Sequence, residues 1–389
     1  DALELSGEID MDIWWNATIW FALALIASVI SKRIGLSVAL VELLVGIFAG
    51  NLIHPVVTEW VNFLASFGAV VLTFLAGAEL EGDVVRKYWK KSLLLGIVGF
   101  IAPFFGTWFV AQNFLGWNLK EAQISGLALS TTSVAVVYAV MLETGLNEKP
   151  LGKLILAACF INDLGTVITL GLLFAELDIF FWIFIISTVA ILFVIPKFTE
   201  KYFLFVNNHP SEPEVKYLFV VLSFLGFLAT AGGSEAVLPA YLIGAALANI
   251  FSKNRELVKR LRASTISLLT PFYFLKAGCL VDLNAVFASS SLLLLFFFTK
   301  VISKFAGLIP SGVLCRFPSK VNLYNALMMS TGLTFGTISA LYGLNNGILS
   351  KEQYSVLVVA VILSALIPTI IAQKFFYPRD DSVMLDTKK

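Results

Sequence analysis

Leu129-Ser130-Thr131-Thr132-Ser133-Val134 interrupts the apolar run from Ile124 to Leu142, and the reading of those four consecutive hydroxyls decides the fold. A run of this length suits a helix crossing about 30 Å of hydrocarbon, where Leu and Ala would be ordinary. The same disturbance returns as Met329-Ser330-Thr331-Gly332-Leu333-Thr334-Phe335-Gly336-Thr337 within the run from Ala326 to Leu344. Small and hydroxylated residues also permit close helix packing. The two matching positions nevertheless favour two helices that unwind in mid-membrane, which is tolerated only inside protein or beside a wet cavity.

Composition supports a membrane setting. The 389 residues are 58% hydrophobic and 14% charged, with a mean hydropathy of +0.88, values a water-soluble surface would not cover. The net charge of +1 argues against a nucleic-acid partner. Cys159, Cys279 and Cys315 stand singly in apolar segments, which reads as packing and not as a metal site or a disulfide framework. The acidic start lacks the features of a secretory signal and suggests a mature or truncated N-terminus.

Scanning for apolar runs gives about thirteen spans. They are Ile13 to Ile30, Val38 to Ile53, Phe63 to Leu80, Leu93 to Leu115, Ile124 to Leu142, Leu154 to Ala175, Ile179 to Ile195, Leu218 to Ala231, Val237 to Ile250, Ile266 to Leu280, Leu292 to Val313, Ala326 to Leu344 and Tyr354 to Ala372. With the N-terminus outside, only Lys120 and Lys351 of the 27 Lys and Arg residues fall on outer loops, and Lys276, Lys300 and Lys304 fall within spans. This positive-inside bias supports an odd number of crossings, N-terminus out and C-terminus in.

An internal repeat is legible. Phe74-Leu75-Ala76-Gly77-Ala78-Glu79-Leu80 matches Phe274-Leu275-Lys276-Ala277-Gly278-Cys279-Leu280. The hydroxyl-rich fifth span leads to Gly145-Leu146-Asn147, as the twelfth leads to Gly343-Leu344-Asn345. Spans one to six therefore pair with eight to thirteen, and the odd seventh inverts one half against the other. Inverted repeats place their site near the midplane, where unwound helices offer carbonyls and helix ends.

In the sixth span, Phe160-Ile161-Asn162-Asp163-Leu164-Gly165-Thr166 puts a carboxylate into an apolar run. A mid-membrane acid costs about 2.5 to 3.5 kcal/mol on insertion scales, which marks Asp163 as an ion carrier and not as a helix tie. Lys300 and Lys304 lie one turn apart on one face of the eleventh span, where snorkelling to an interface is the competing explanation.

Asn162-Asp163, the stretch Ala128 to Val136, the turn Phe74 to Glu79 and Lys304-Phe305-Ala306-Gly307 together resemble the membrane domain of the monovalent cation:proton antiporter superfamily. The likeness runs from about Ile13 to Ala372 and is strongest to the second branch, bacterial Na+/H+ exchangers and the membrane part of potassium efflux antiporters. It implies an all-α polytopic membrane protein of the sodium/proton antiporter fold, an inverted repeat with crossed discontinuous helices. It further implies a cell-membrane homodimer that exchanges a monovalent cation, Na+ first and Li+ or K+ as alternatives, for H+, with no enzymatic activity and no cofactor. Asp163 corresponds to the carboxylate that takes either a proton or, transiently, the metal ion. Asn162, in place of a second Asp, implies electroneutral one-for-one exchange. Thr131, Thr132 and Ser133 complete the cation site, and Lys304, with Lys300 as rival, supplies the counter-charge by pairing with Asp163 or with helix ends. A core bundle of about 93–175 and 289–376 moves, elevator fashion, against a dimerisation and gate bundle of about 13–81 and 215–283, with 177–200 as a linker helix.

Lesser features carry less. Glu42 reads as packing or a cytoplasmic funnel, Glu79 as a solvated helix end with Lys276 as a candidate partner across the repeat, and Pro368 beside Ser364 as a kink opposite Asp163. The polar stretch 207–214, with His209, reads as a solvated linker. The short tail after Tyr377-Pro378-Arg379 suggests an exchanger without a nucleotide-binding regulatory domain. No repeated filter motif argues for a channel, and no His or second mid-membrane acid argues for an intramembrane enzyme. A sodium symporter of organic acids, of bile-acid type, remains the rival because it too uses crossed broken helices.

Overall fold

The computed structural model describes residues 2–78, 82–174, 179–206, 209–232, 236–284 and 289–378. Among these there is no strand. The helices are α1 (Ala2–Ile34), α2 (Val38–Leu52), α3 (Glu59–Ala78), α4 (Gly82–Asn113), α5 (Leu119–Ser130), α6 (Val134–Thr144), α7 (Pro150–Phe174) and α8 (Ile179–Val206). There follow α9 (Pro213–Ala231), α10 (Val237–Lys253), α11 (Arg255–Ser264), α12 (Thr270–Cys279), α13 (Ser290–Leu314), α14 (Ser319–Met328), α15 (Thr334–Asn345) and α16 (Lys351–Ile371). Local signals set several ends. Asn118 and Glu121 form a capping box at the start of α5 (2.8 and 3.0 Å), Ser350 and Gln353 another at α16 (2.8 and 3.1 Å), and Gly145 closes α6 at φ +71°.

Nine spans among the described residues are long and apolar enough to cross a membrane, taking α5 and α6 as one. The other four expected spans fall on α2, α10, the stretch 265–279 that ends in α12, and the α14–α15 pair, whose individual helices are too short to qualify. The α5–α6 span is buried along its whole crossing, as a broken helix in lipid must be. α11 was not expected. It is an amphipathic helix tied by Glu256–Lys259 (2.8 Å) and, through Arg260, to Glu212 (3.1 Å), and its ammonium partner holds the Glu256 carboxyl below its usual range. A π-helical turn, Thr265–Leu269, joins it to α12.

Two helix pairs show the inverted repeat directly. A side chain on Gly77 (α3) would strike the Tyr241 carbonyl of α10, and one on Gly244 (α10) the Phe74 carbonyl. In the same pattern, Gly278 (α12) abuts the Leu43 carbonyl of α2, and Gly46 (α2) the Leu275 carbonyl. Only glycine permits backbones this close. The equivalence pairs Gly77 with Gly278 and Phe74 with Leu275, one residue away from the expected match of Phe74 with Phe274. The FLxxG-like letters recur out of register, because the spacing of glycines governs packing and the letters around them do not. The expected match of Gly145 with Gly343 also fails in three dimensions. Gly343 lies inside α15, and the left-handed turn falls at Gly347, φ +65°.

α4 packs against α5, α7 and α13, and α16 packs on α13 and α15. α1 lies at the edge against α2 and α12, with Trp14 and Trp15 exposed. α8 covers the expected linker and continues to Val206 with Pro196 inside it, while 177 and 178 lie outside the described residues. Of the polar stretch, 207 and 208 lie outside them. His209 closes a local turn, its Nδ1 accepting from the Ser211 N–H at 3.2 Å.

Candidate functional site at the helix crossing

The chain unwinds where the hydroxyls predict. After Ser130, Thr131 (ψ 154°) and Ser133 (ψ 107°) are extended before α6 resumes at Val134. Across from them, Met329 to Leu333 separate α14 from α15. The two unwound segments are joined by the Ser133 N–H donating to the Thr331 carbonyl at 3.2 Å and the Thr132 hydroxyl donating to the Met329 carbonyl at 2.7 Å.

Much of the hydroxyl cluster serves the backbone. Ser130, Thr131, Ser330 and Thr331 donate back to the carbonyls of Leu127, Ala128, Ala326 and Met328 at 2.9, 3.3, 2.7 and 2.9 Å, satisfying acceptors that the broken helices leave free. The Ser133 hydroxyl caps α6 by accepting from the Val136 N–H at 3.3 Å. Thr132 is different, because its hydroxyl also accepts from a charged group.

Asp163 projects from α7 into this crossing, 3% exposed, and its Oδ1 takes no hydrogen bond among the described residues. The backbone N–H of Thr132 faces its carboxylate. The Lys304 ammonium, fully buried on α13, donates to the Thr132 hydroxyl at 2.8 Å. The expected Lys304–Asp163 ion pair is therefore not made directly. Thr132 stands between the two, its hydroxyl on the lysine and its amide toward the carboxylate. With its single hydrogen donated to the Met329 carbonyl, the Thr132 hydroxyl can only accept from the ammonium, which fixes its orientation.

Lys300, one turn earlier, is also fully buried and does not snorkel. Its Nζ has no acceptor among the described residues and lies against Gly332. A side chain at 332 would collide with that ammonium and press on the Ser364 and Thr131 hydroxyls, each 3.2 Å from its Cβ position. Gly332 is thus required by close approach. Asn162 is fully buried with both amide atoms unpartnered, beside Gly99 and the Met329 side chain.

A model of the transmembrane sodium/hydrogen exchanger family matches residues 21–376. The chain belongs to that family. The exchanger is 25% identical over 352 residues to the Probable Na+/H+ antiporter 3 of Methanocaldococcus jannaschii, covering 87% of this chain and 89% of that one. It is likewise 25% identical over 376 residues to the Na+/H+ antiporter of Enterococcus hirae, covering 90% and 94%. Against Cation/H+ antiporter 19 of Arabidopsis thaliana, 25% identical, it spans 42% of the relative's length. In fold it is similar to the sodium proton antiporter MjNhaP1 from M. jannaschii at pH 8, with a TM-score of 0.71, 14% identity, and coverage of 95% of this chain and 100% of that one. The exchanger is therefore a multi-pass, all-helical membrane protein with the sodium/proton antiporter fold.

Other sequence candidates lie elsewhere. Glu42 is buried in α2 with Oε2 unpartnered, away from the crossing and close to Glu143. Glu143, absent from the sequence reading, holds the N-terminus of α2, its two carboxylate oxygens accepting from the Val38 N–H at 2.7 and 2.9 Å. Glu79, and with it any pairing to Lys276, lies outside the described residues. Pro368 is buried within α16, which continues to Ile371, while Ser364 borders the Lys300 space. All three cysteines are free, as packing residues would be. Tyr241 and Cys159, within electrostatic reach of Asp163, carry no signal in an apolar run of sequence and emerge only from the packing.

Proposed function

We propose that the exchanger moves one monovalent cation, Na+ in the first instance, against one proton, with Asp163 taking either ion in turn. The observation that carries this is a lone buried carboxylate at the crossing of two unwound helices, with one oxygen unpartnered. An oxygen that must release its proton before accepting a hard cation makes the two ions mutually exclusive, and exclusion at a site exposed alternately to each side is exchange.

Each neighbour has a part. Thr132 aims its amide at the carboxylate, and Thr131, Ser133 and Asn162 shape the cation's polar surroundings. Asn162 binds no proton, so one carboxylate titrates per cycle and the exchange is electroneutral. Lys304, held by Thr132, and Lys300 supply the counter-charge that stabilises the empty, ionised site. The core of about 93–175 and 289–376 carries the ion past the gate bundle of about 13–81 and 215–283, with 177–200 linking them. The gate bundle pairs two copies in the cell membrane, N-terminus outside and C-terminus in the cytoplasm.

The test uses proteoliposomes with a trapped pH dye, pulsed with Na+, K+ or Li+. Wild type is expected to move protons in response to Na+, with a rate and end point unaffected by a clamped membrane potential. Asp163→Asn is expected to abolish the signal. Equal cation-driven proton flux in both proteins contradicts the assignment, and a voltage-dependent end point contradicts one-for-one exchange. Uptake of an organic anion with Na+, without proton movement, would mark the symporter instead.

A further inference from the structure

The Tyr241 ring of α10 stacks on Phe160 of α7 with centroids 4.2 Å apart and planes 10° from parallel. Phe160 precedes Asp163 by three residues and so shares its helix face. Tyr241 is 2% exposed, yet its hydroxyl has no hydrogen-bond partner among the described residues. A buried phenol normally finds one, and its absence requires a reason. The hydroxyl lies within electrostatic reach of Asp163 and Cys159, both on α7. Its backbone is held against α3, the carbonyl packed on Gly77.

The inverted repeat sharpens this. Leu43 of α2 occupies the position equivalent to Tyr241, its carbonyl wedged against Gly278 as that of Tyr241 is against Gly77. Leu43 is also fully buried, but it carries no oxygen. Where the two halves present the same backbone, only one presents a hydroxyl.

Resting on the assignment of Asp163 as ion carrier and of α10 to the stationary bundle, we propose that the Tyr241 hydroxyl is a neutral cation ligand lent by the gate to the Asp163 site in one of its two alternating states. A hard cation favours such oxygen ligands. When the core leaves α10, the phenol stays behind, and the opposite state lacks that oxygen. Tyr241 thereby makes the site's cation affinity differ between the two membrane faces.

The test compares Tyr241→Phe with wild type in right-side-out and everted vesicles, titrating Na+ and reading proton flux. Phe keeps the stack on Phe160 and removes only the oxygen. The expected result is an Na+ KM raised about threefold or more at one face, with KM at the other face and both maximal rates within about twofold of wild type. Unchanged KM at both faces overturns the proposal, and so does an equal rise at both, the mark of a general packing defect. Asp163→Asn in the same vesicles keeps the readings separate. If it transports as wild type does, the ion-carrier assignment fails; if it is silent while Tyr241→Phe is unchanged, only the ligand proposal fails.

Discussion

At the scale of single residues, the site is a chain of three groups in which Thr132 links Lys304 to Asp163. Thr132→Val keeps the shape and removes the hydroxyl, stranding a buried ammonium. The expected cost is about 1–3 kcal/mol of stability, read as a lower unfolding temperature in detergent, whereas Thr132→Ser should recover most of it. Competition at one carboxylate also sets a pH dependence. As pH falls, the proton occupies Asp163 more often, and the Na+ KM should climb toward a limit of about tenfold per pH unit. A flat KM across the acid range would speak against shared occupancy. Asp163, Asn162 and Lys304 were legible in the sequence because polar groups in apolar runs are conspicuous. The Thr132 bridge was not, since four neighbouring hydroxyls look alike until the backbone shows that Thr131 folds back on its own helix while Thr132 faces outward. Tyr241 was invisible for the opposite reason, an aromatic in an apolar helix being ordinary.

At the scale of elements, the glycine contacts of α2 with α12 and α3 with α10 fix how closely the helices approach. Gly77→Leu or Gly244→Leu should force these backbones apart and cost about 1–3 kcal/mol or more, measured as lost thermal stability or lost folded protein. The helix breaks were readable in sequence because their hydroxyls and Gly332 have no place in a continuous lipid-spanning helix. The register of the repeat was misread by one residue, since Phe74 and Phe274 share a letter but not a packing position. The capping of α2 by Glu143 joins residues far apart in sequence, so no local pattern announces it. Glu143→Ala should weaken that cap by about 0.5–2 kcal/mol, visible in the same unfolding assay, with transport reduced less than by Thr132→Val.

At the scale of the whole molecule, the inverted halves supply one scaffold and the departures from symmetry supply the chemistry. Asp163 has no acidic counterpart on α16, which carries Pro368 instead, and Tyr241 faces Leu43 across the repeat. The sequence composition and charge distribution sufficed for the membrane setting and the order of the helices. They were insufficient for which helix touches which, because lipid-facing and protein-facing positions are equally apolar. The central claim is that one carboxylate serves both ions, and the most direct measurement is proton release from purified protein in a weakly buffered solution on addition of NaCl, with choline chloride as control. One proton released for each Na+ bound, and none from Asp163→Asn, is the result expected. Na+ binding without proton release, or the same release from Asp163→Asn, would contradict it.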